Sequence, residues 1–116
     1  MMNKELGRRG EEIAVRYLQK KGYGLLDRNY YTRFGELDII CEKNKELIFV
    51  EVKTRKSVKY GSPEESITAK KREHLRKAAL IYIDTHHRPF QGMRFDVIAI
   101  LLEKEDKKIN HIKNAF

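Results

Sequence analysis

Gly35-Glu36-Leu37-Asp38-Ile39-Ile40-Cys41-Glu42, then Lys43-Asn44-Lys45, then Glu46-Leu47-Ile48-Phe49-Val50-Glu51-Val52-Lys53-Thr54-Arg55, form the centre of the chain. Two runs rich in Ile and Val flank a short polar break, the pattern of a β-hairpin. Side chains alternate along a strand, so Glu51 and Lys53 project from one face and Ile48, Val50 and Val52 from the other. With a two-residue turn at Asn44-Lys45, or the symmetric four-residue one, position 38 falls opposite position 51. Asp38 then stands beside Glu51, with Lys53 next along and Glu36 across from it. A one-residue slip would undo this, so the arrangement hangs on the turn.

Two adjacent carboxylates and a lysine in a mostly apolar hairpin carry a chemical cost. Repulsion and burial both favour the neutral carboxyl and raise the pKa of at least one, and unpaired buried charge is expensive. A hard divalent cation removes that penalty. Mg²⁺ typically takes one or two protein carboxylates, keeps several waters and completes its shell with phosphate oxygens. Lys53 would orient a phosphate or help activate the attacking water, an arrangement suited to phosphodiester hydrolysis. The plain alternative is a solvated ion network on a surface hairpin. Phe49-Val50-Glu51-Val52-Lys53 argues against it, because its charges interrupt what otherwise reads as a buried central strand.

The whole chain sets the frame. At 116 residues it is one domain, large enough to bury a core without staples. With 25 Lys and Arg against 17 Asp and Glu, the formal charge of +8 favours a polyanionic partner, nucleic acid before an anionic membrane. The lone Cys41 cannot form an internal disulfide and reads as a small strand hydrophobe. Residues 1–5 lead straight into a charged amphipathic stretch rather than a signal peptide. Apolar runs such as 97–102 are too short to span a bilayer. The expected setting is cytoplasmic, with no membrane partner.

Either side of the hairpin the periodicity changes. Ile13, Ala14, Tyr17 and Leu18 mark one face of a helix over about 4–21, stopped by Gly22. Gly7 and Gly10 weaken its first turns, so it is expected to become firm near Gly10. Glu11 and Glu12 suit a helix start, and Glu11 can also share the helix's inward edge. Residues 23–34 read as an aromatic strand interrupted at Asp27-Arg28-Asn29. Tyr30, Tyr31 and Phe34 are able to stack on unpaired bases, although half-buried strand positions are the plainer reading. Residues 56–63 form a basic loop able to contact phosphates. Ser62 and Pro63 then read as the cap and first residue of a helix reaching about Thr85. Its buried stripe is Ile67, Leu75, Ala78, Ala79, Tyr82 and Ile83, and its other face is basic. His86-His87 reads as a polar helix end, not a metal site. Residues 93–102 form an apolar strand in which Asp96 is expected to pair with a nearby cation, and 109–116 form a weak edge strand or tail. The order is α/β, a mixed central sheet flanked by helices.

That order, with Asp38 and Glu51-Val52-Lys53 on consecutive strands, resembles the PD-(D/E)xK nuclease superfamily and its restriction-endonuclease-like αβββαβ(β) core. More closely, the chain resembles the UPF0102 (YraN-like) family, which is similar to Holliday-junction resolvases. The likeness is carried by Leu6-Gly7-Arg8-Arg9-Gly10-Glu11, Asn29-Tyr30, Gly35-Glu36-Leu37-Asp38, Phe49-Val50-Glu51-Val52-Lys53-Thr54-Arg55, Lys71 and Arg94-Phe95-Asp96-Val97. The resemblance implies a metal-dependent endonuclease acting on DNA, branched or otherwise structured. Asp38 and Glu51 would bind Mg²⁺ or Mn²⁺, with the Val52 carbonyl as a further ligand. Lys53 would support the water, and Glu11 would complete the site, with helix phase deciding between it and Glu12. Arg55, Lys59, Lys70 and Lys71 are the expected contacts to the nucleic-acid backbone, and a homodimer is the expected assembly. The rival reading is a non-catalytic nucleic-acid-binding adaptor on the same scaffold.

Overall fold

Asn44 and Lys45 both adopt the left-handed conformation, with φ of 52° and 66°, as the two central residues of a type I′ hairpin turn must. Lys43 therefore pairs with Glu46, and the register runs back to Ile39 opposite Val50. The computed structural model, which describes residues 2–56 and 67–116, is built around this hairpin. Helix α1 (Met2–Lys20) precedes β1 (Gly24–Thr32), β2 (Gly35–Lys43) and β3 (Glu46–Arg55). Helix α2 (Ala69–His86), β4 (Gly92–Glu103) and β5 (Asp106–Ile112) follow. The strands form one sheet in the order β1-β2-β3-β4-β5. β3 and β4 run parallel, and the other neighbouring pairs run antiparallel. This is the mixed α/β sheet expected from the sequence.

Each helix covers one face of the sheet. Ala14, Val15 and Leu18 of α1 pack with Ile39, Cys41, Ile48, Val50, Ile98 and Ile100. Leu75, Ala78, Ala79 and Tyr82 of α2 pack on the opposite face with Ile40, Leu47, Phe49, Phe95 and Val97. The 75/78/79/82 spacing is a helix stripe, and the two sets interleave along β3 as a strand buried on both faces requires. Cys41 is buried, and burial pushes its thiol up to about 12, so it is unreactive packing material.

Both helices differ from their expected starts. α1 is helical from Met2, straight through Gly7 and Gly10. Gly10 lies against β3, where a Cβ would come within 2.8 Å of the Thr54 Cβ. Close packing of helix on strand outweighs glycine's poor helix propensity, about 1 kcal/mol. α2 is capped by Thr68, whose hydroxyl accepts the Lys71 N–H at 3.1 Å, and Ile67 is buried ahead of it. The expected Ser62-Pro63 start lies outside the described residues. α2 ends at His86, with His87 left-handed and donating its N–H to the Ile83 carbonyl. That is the polar helix end read from the sequence.

Asp96 is fully buried and paired as expected. Arg94 Nε lies 2.9 Å and His111 Nε2 2.7 Å from its carboxylate, which also accepts the Asn114 N–H. Burial pushes its pKa up, but the contacts from His111, Arg94 and Asn114 outweigh that and hold it below the usual range. Among the described residues no helix is long and apolar enough to cross a membrane.

Candidate functional site

The β2–β3 register that ends at Ile39↔Val50 places Asp38 against Glu51 at the next step. There the Val52 N–H donates to Asp38 Oδ2 at 2.9 Å. The alternation of β2 breaks at the same point. Ile39 and Cys41 pack on the α1 side, yet Leu37 packs on the α2 side with Ile40. Strict alternation would put Leu37 with Ile39. The matching irregularity on β1 is Asn29, left-handed at φ 49° between the pairs Arg28↔Ile39 and Tyr30↔Leu37. Asparagine tolerates that conformation better than most residues. The interruption read at Asp27-Arg28-Asn29 is therefore an irregularity within one strand: the register shifts between Leu25 and Asp27, and Asn29 is left-handed beside the break at Asp38.

The carboxylates differ in their partners. Glu51 is 7% exposed, and its Oε2 lies 3.5 Å from Lys71 Nζ and 3.8 Å from Lys53 Nζ. For Asp38 burial is the largest influence and the Glu51 charge the next. Together, with smaller contributions from Glu11 and Glu36, they push it up to about 8 against the opposing pull of the Val52 N–H. The two lysines neutralise Glu51, and Asp38 is left holding a proton over most of the neutral range. Apolar Leu37, Phe49, Leu75 and Phe95 line the small pocket beside the pair, which accounts for the desolvation.

Helix phase selects Glu11. The glycine contact at Thr54 brings α1 against the end of β3, and Glu11 follows Gly10 into the site. Its Oε1 accepts from Asn29 Nδ2 at 2.9 Å, and the same amide nitrogen donates to Glu36 Oε2 at 2.9 Å. One NH₂ group thus holds two carboxylates with its two hydrogens. Glu12 points elsewhere, to Arg28 at 3.2 Å and Arg16 at 3.8 Å.

Among the described residues no three of His, Cys, Asp and Glu converge as a metal-ligand set. The available donors are the Asp38 and Glu51 carboxylates and the adjacent Val52 carbonyl. These hard oxygens fit a Mg²⁺ or Mn²⁺ ion whose shell is completed by water and phosphate.

The basic residues divide. Lys71, an expected contact to nucleic acid, lies 3.5 Å from Glu51. Lys70 is exposed at the start of α2, Arg55 is partly buried at the end of β3, and Lys59 lies outside the described residues. Much of the remaining basic face of α2 is engaged locally. Arg72 and Arg76 lie over the Phe116 ring, and Lys77 lies over Phe34 and 3.7 Å from Glu73. Asn29 and the site position of Lys71 were missed in the sequence. A polar residue tolerant of φ > 0 inside a strand was the available signal for the first; for the second there was none, since Lys71 comes from another element.

The family model described as "Uncharacterised protein family UPF0102" matches residues 10–100. A UPF0102 protein of Syntrophomonas wolfei is 55% identical over 115 residues, covering 99% of this chain and all of that one. UPF0102 proteins of Alkaliphilus oremlandii (45% over 117 residues, 99% and 100% covered) and Dictyoglomus turgidum (42% over 118 residues, both fully covered) are also similar.

Proposed function

The chain belongs to the uncharacterised protein family UPF0102, and we propose that it is a metal-dependent endonuclease acting on branched or otherwise structured DNA. The observation that carries this reading is half-buried Asp38 beside buried Glu51 on the lining of one small pocket, with Lys53 and Lys71 at Glu51. A protein that only bound nucleic acid would gain nothing from carboxylates turned toward phosphate, whereas a hydrolase uses them to hold a cation.

Asp38 and Glu51, with the Val52 carbonyl, would hold Mg²⁺ or Mn²⁺. The ion would supply the positive charge that offsets the carboxylate pair and polarises the scissile phosphate. Asp38 would hold the cation as the deprotonated carboxylate, as ligating carboxylates must. Lys53 donates hydrogen bonds to a phosphate oxygen and steadies the attacking water. Lys71 shares Glu51 with Lys53 and balances its charge. Glu11, fixed by Asn29, would add a third carboxylate at the edge of the site. Lys70, Arg55 and Lys59 carry the backbone contacts. Cutting two strands of one branched substrate calls for two such sites, which makes a second copy of this chain the expected partner.

The test is incubation of labelled four-way junction, flap, single-stranded and linear duplex DNA with the protein in Mg²⁺ or Mn²⁺, beside Glu51→Ala and Lys53→Ala. Cleavage by the native protein that both variants and EDTA abolish supports the proposal. Salt-sensitive binding without cutting under any of these conditions overturns it in favour of a binding adaptor.

A further inference from the structure

Tyr30 and Tyr31 are neighbours on β1 with opposite surroundings. Tyr30 packs edge-on against Tyr82 at 5.0 Å and His86 at 5.6 Å. Tyr31 points away from them and is 76% exposed, the most exposed large hydrophobic side chain among the described residues. A single exposed aromatic is ordinary in itself. The location of this one is not. It pairs across the sheet with Glu36, whose carboxylate is tied through Asn29 to Glu11. Glu36, Glu11 and Asp38 all act on its phenol and raise its pKa, Glu36 most. Tyr31 is thus at the rim of the carboxylate site, on the side facing α1.

Its setting is rigid. Thr32 pairs with Gly35, the Thr32 hydroxyl braces the turn through the Phe34 N–H and the Gly35 carbonyl, and Asn29 pins the strand two residues earlier. Phe34 is already covered by Arg33 at 5.0 Å and Lys77 at 5.2 Å. The strand that carries Tyr31 is held and its ring is open, so a ligand stacking on it has no backbone to order. Lys4 and Arg8, exposed on α1, lie seven and three residues before Glu11 and so share its side of the helix. Two cations thus approach the same rim, which fits a phosphate backbone.

We propose that Tyr31 is a stacking platform for an unpaired nucleobase next to the scissile phosphate, and that the substrates are therefore DNAs with a single or splayed strand at the point of cutting. A base inside a continuous duplex has both faces covered and cannot use such a ring, whereas a flap, a single strand or an opened junction presents a free face. This deepens the nuclease reading and rests on it for the position of the scissile phosphate.

The experiment is a binding titration of the full chain in EDTA, with 2-aminopurine at the first unpaired position of a flap and at the same position in a continuous duplex. With the stacked base lost, Tyr31→Ala should weaken flap binding roughly tenfold and abolish the fluorescence change. Tyr31→Phe should keep both, and duplex affinity should be unaltered by either substitution. Equal losses on flap and duplex, no loss on the flap, or no fluorescence response in the native protein would each overturn the proposal. Cleavage in Mg²⁺ is followed in parallel. Cutting with no effect of Tyr31 sinks this inference alone, and flap-selective stacking without cutting by the native protein sinks the nuclease reading and keeps Tyr31 only as a base-stacking platform.

Discussion

Asp38→Asn should make the protein more stable at alkaline pH, although it removes a residue assigned to the site. Asp38 is raised from 3.8 to about 8, by burial first and by Glu51 second. Between those values the folded chain keeps a proton that the unfolded chain has released, so stability falls as pH rises from about 4 to 8. Four units at 1.36 kcal/mol each put the full cost of ionising Asp38 in the fold on the order of 5 kcal/mol. Asparagine removes that titration and still offers an oxygen to the Val52 N–H. The variant should match the native protein to within about 1 kcal/mol at pH 5 and exceed it by about 2–5 kcal/mol at pH 9. In urea that is a midpoint shift of roughly 1–3 M, since small domains lose about 1–3 kcal/mol per molar. The assay is equilibrium urea unfolding at pH 5, 7 and 9 in EDTA, repeated with Mg²⁺. Bound cation should restore the native protein at pH 9, by about 2.7 kcal/mol at a hundredfold excess over Kd, and leave the variant unmoved. Parallel pH profiles for the two proteins in EDTA would refute the reasoning.

Gly10→Ala should cost about 1–3 kcal/mol by overpacking α1 on β3, with part of the loss recovered in the Gly10→Ala, Thr54→Ala double variant; a thermal-unfolding double-mutant cycle checks it, and additivity would argue against the contact. Asn29→Gly keeps a residue tolerant of φ > 0 but frees Glu11 and Glu36. It should lower Mn²⁺ affinity at least tenfold by calorimetry, the usual scale for losing a group that orients ligands. Asp96→Asn removes the buried charge that Arg94 shares with His111, leaving half-buried Arg94 with Glu46 alone, and should cost about 3–5 kcal/mol at pH 7. Because Asp96 is held below its ordinary pKa, its contribution is complete above about pH 4 and is lost as pH falls below that. The gap between variant and native chain should therefore narrow in acid, and a gap that widens there would contradict the pairing.

Much of this molecule is local in origin. A two-residue I′ turn at Asn44-Lys45 sets the register locally as far as Ile39 opposite Val50, and the last step to Asp38 is taken where the alternation breaks beside Asn29 of β1. The apolar runs and helix stripes likewise identify the elements and their buried faces, because burial of a repeating pattern is the main force acting on each element. What the tertiary structure alone decided depends on pairs of residues far apart in sequence. Gly10 is a helix weakness until Thr54 of β3 is packed against it. Asn29 is a break in a strand until its amide meets Glu11 and Glu36. Lys71 reads as one more surface cation until α2 crosses the sheet and sets it 3.5 Å from Glu51. Tyr30 and Tyr31 are chemically alike, and only the position of α2 buries one and leaves the other open. Periodicity reports which face of an element is apolar; which partner it meets, and so which charges are neutralised and which pKa values move, is set by the packing of elements against one another.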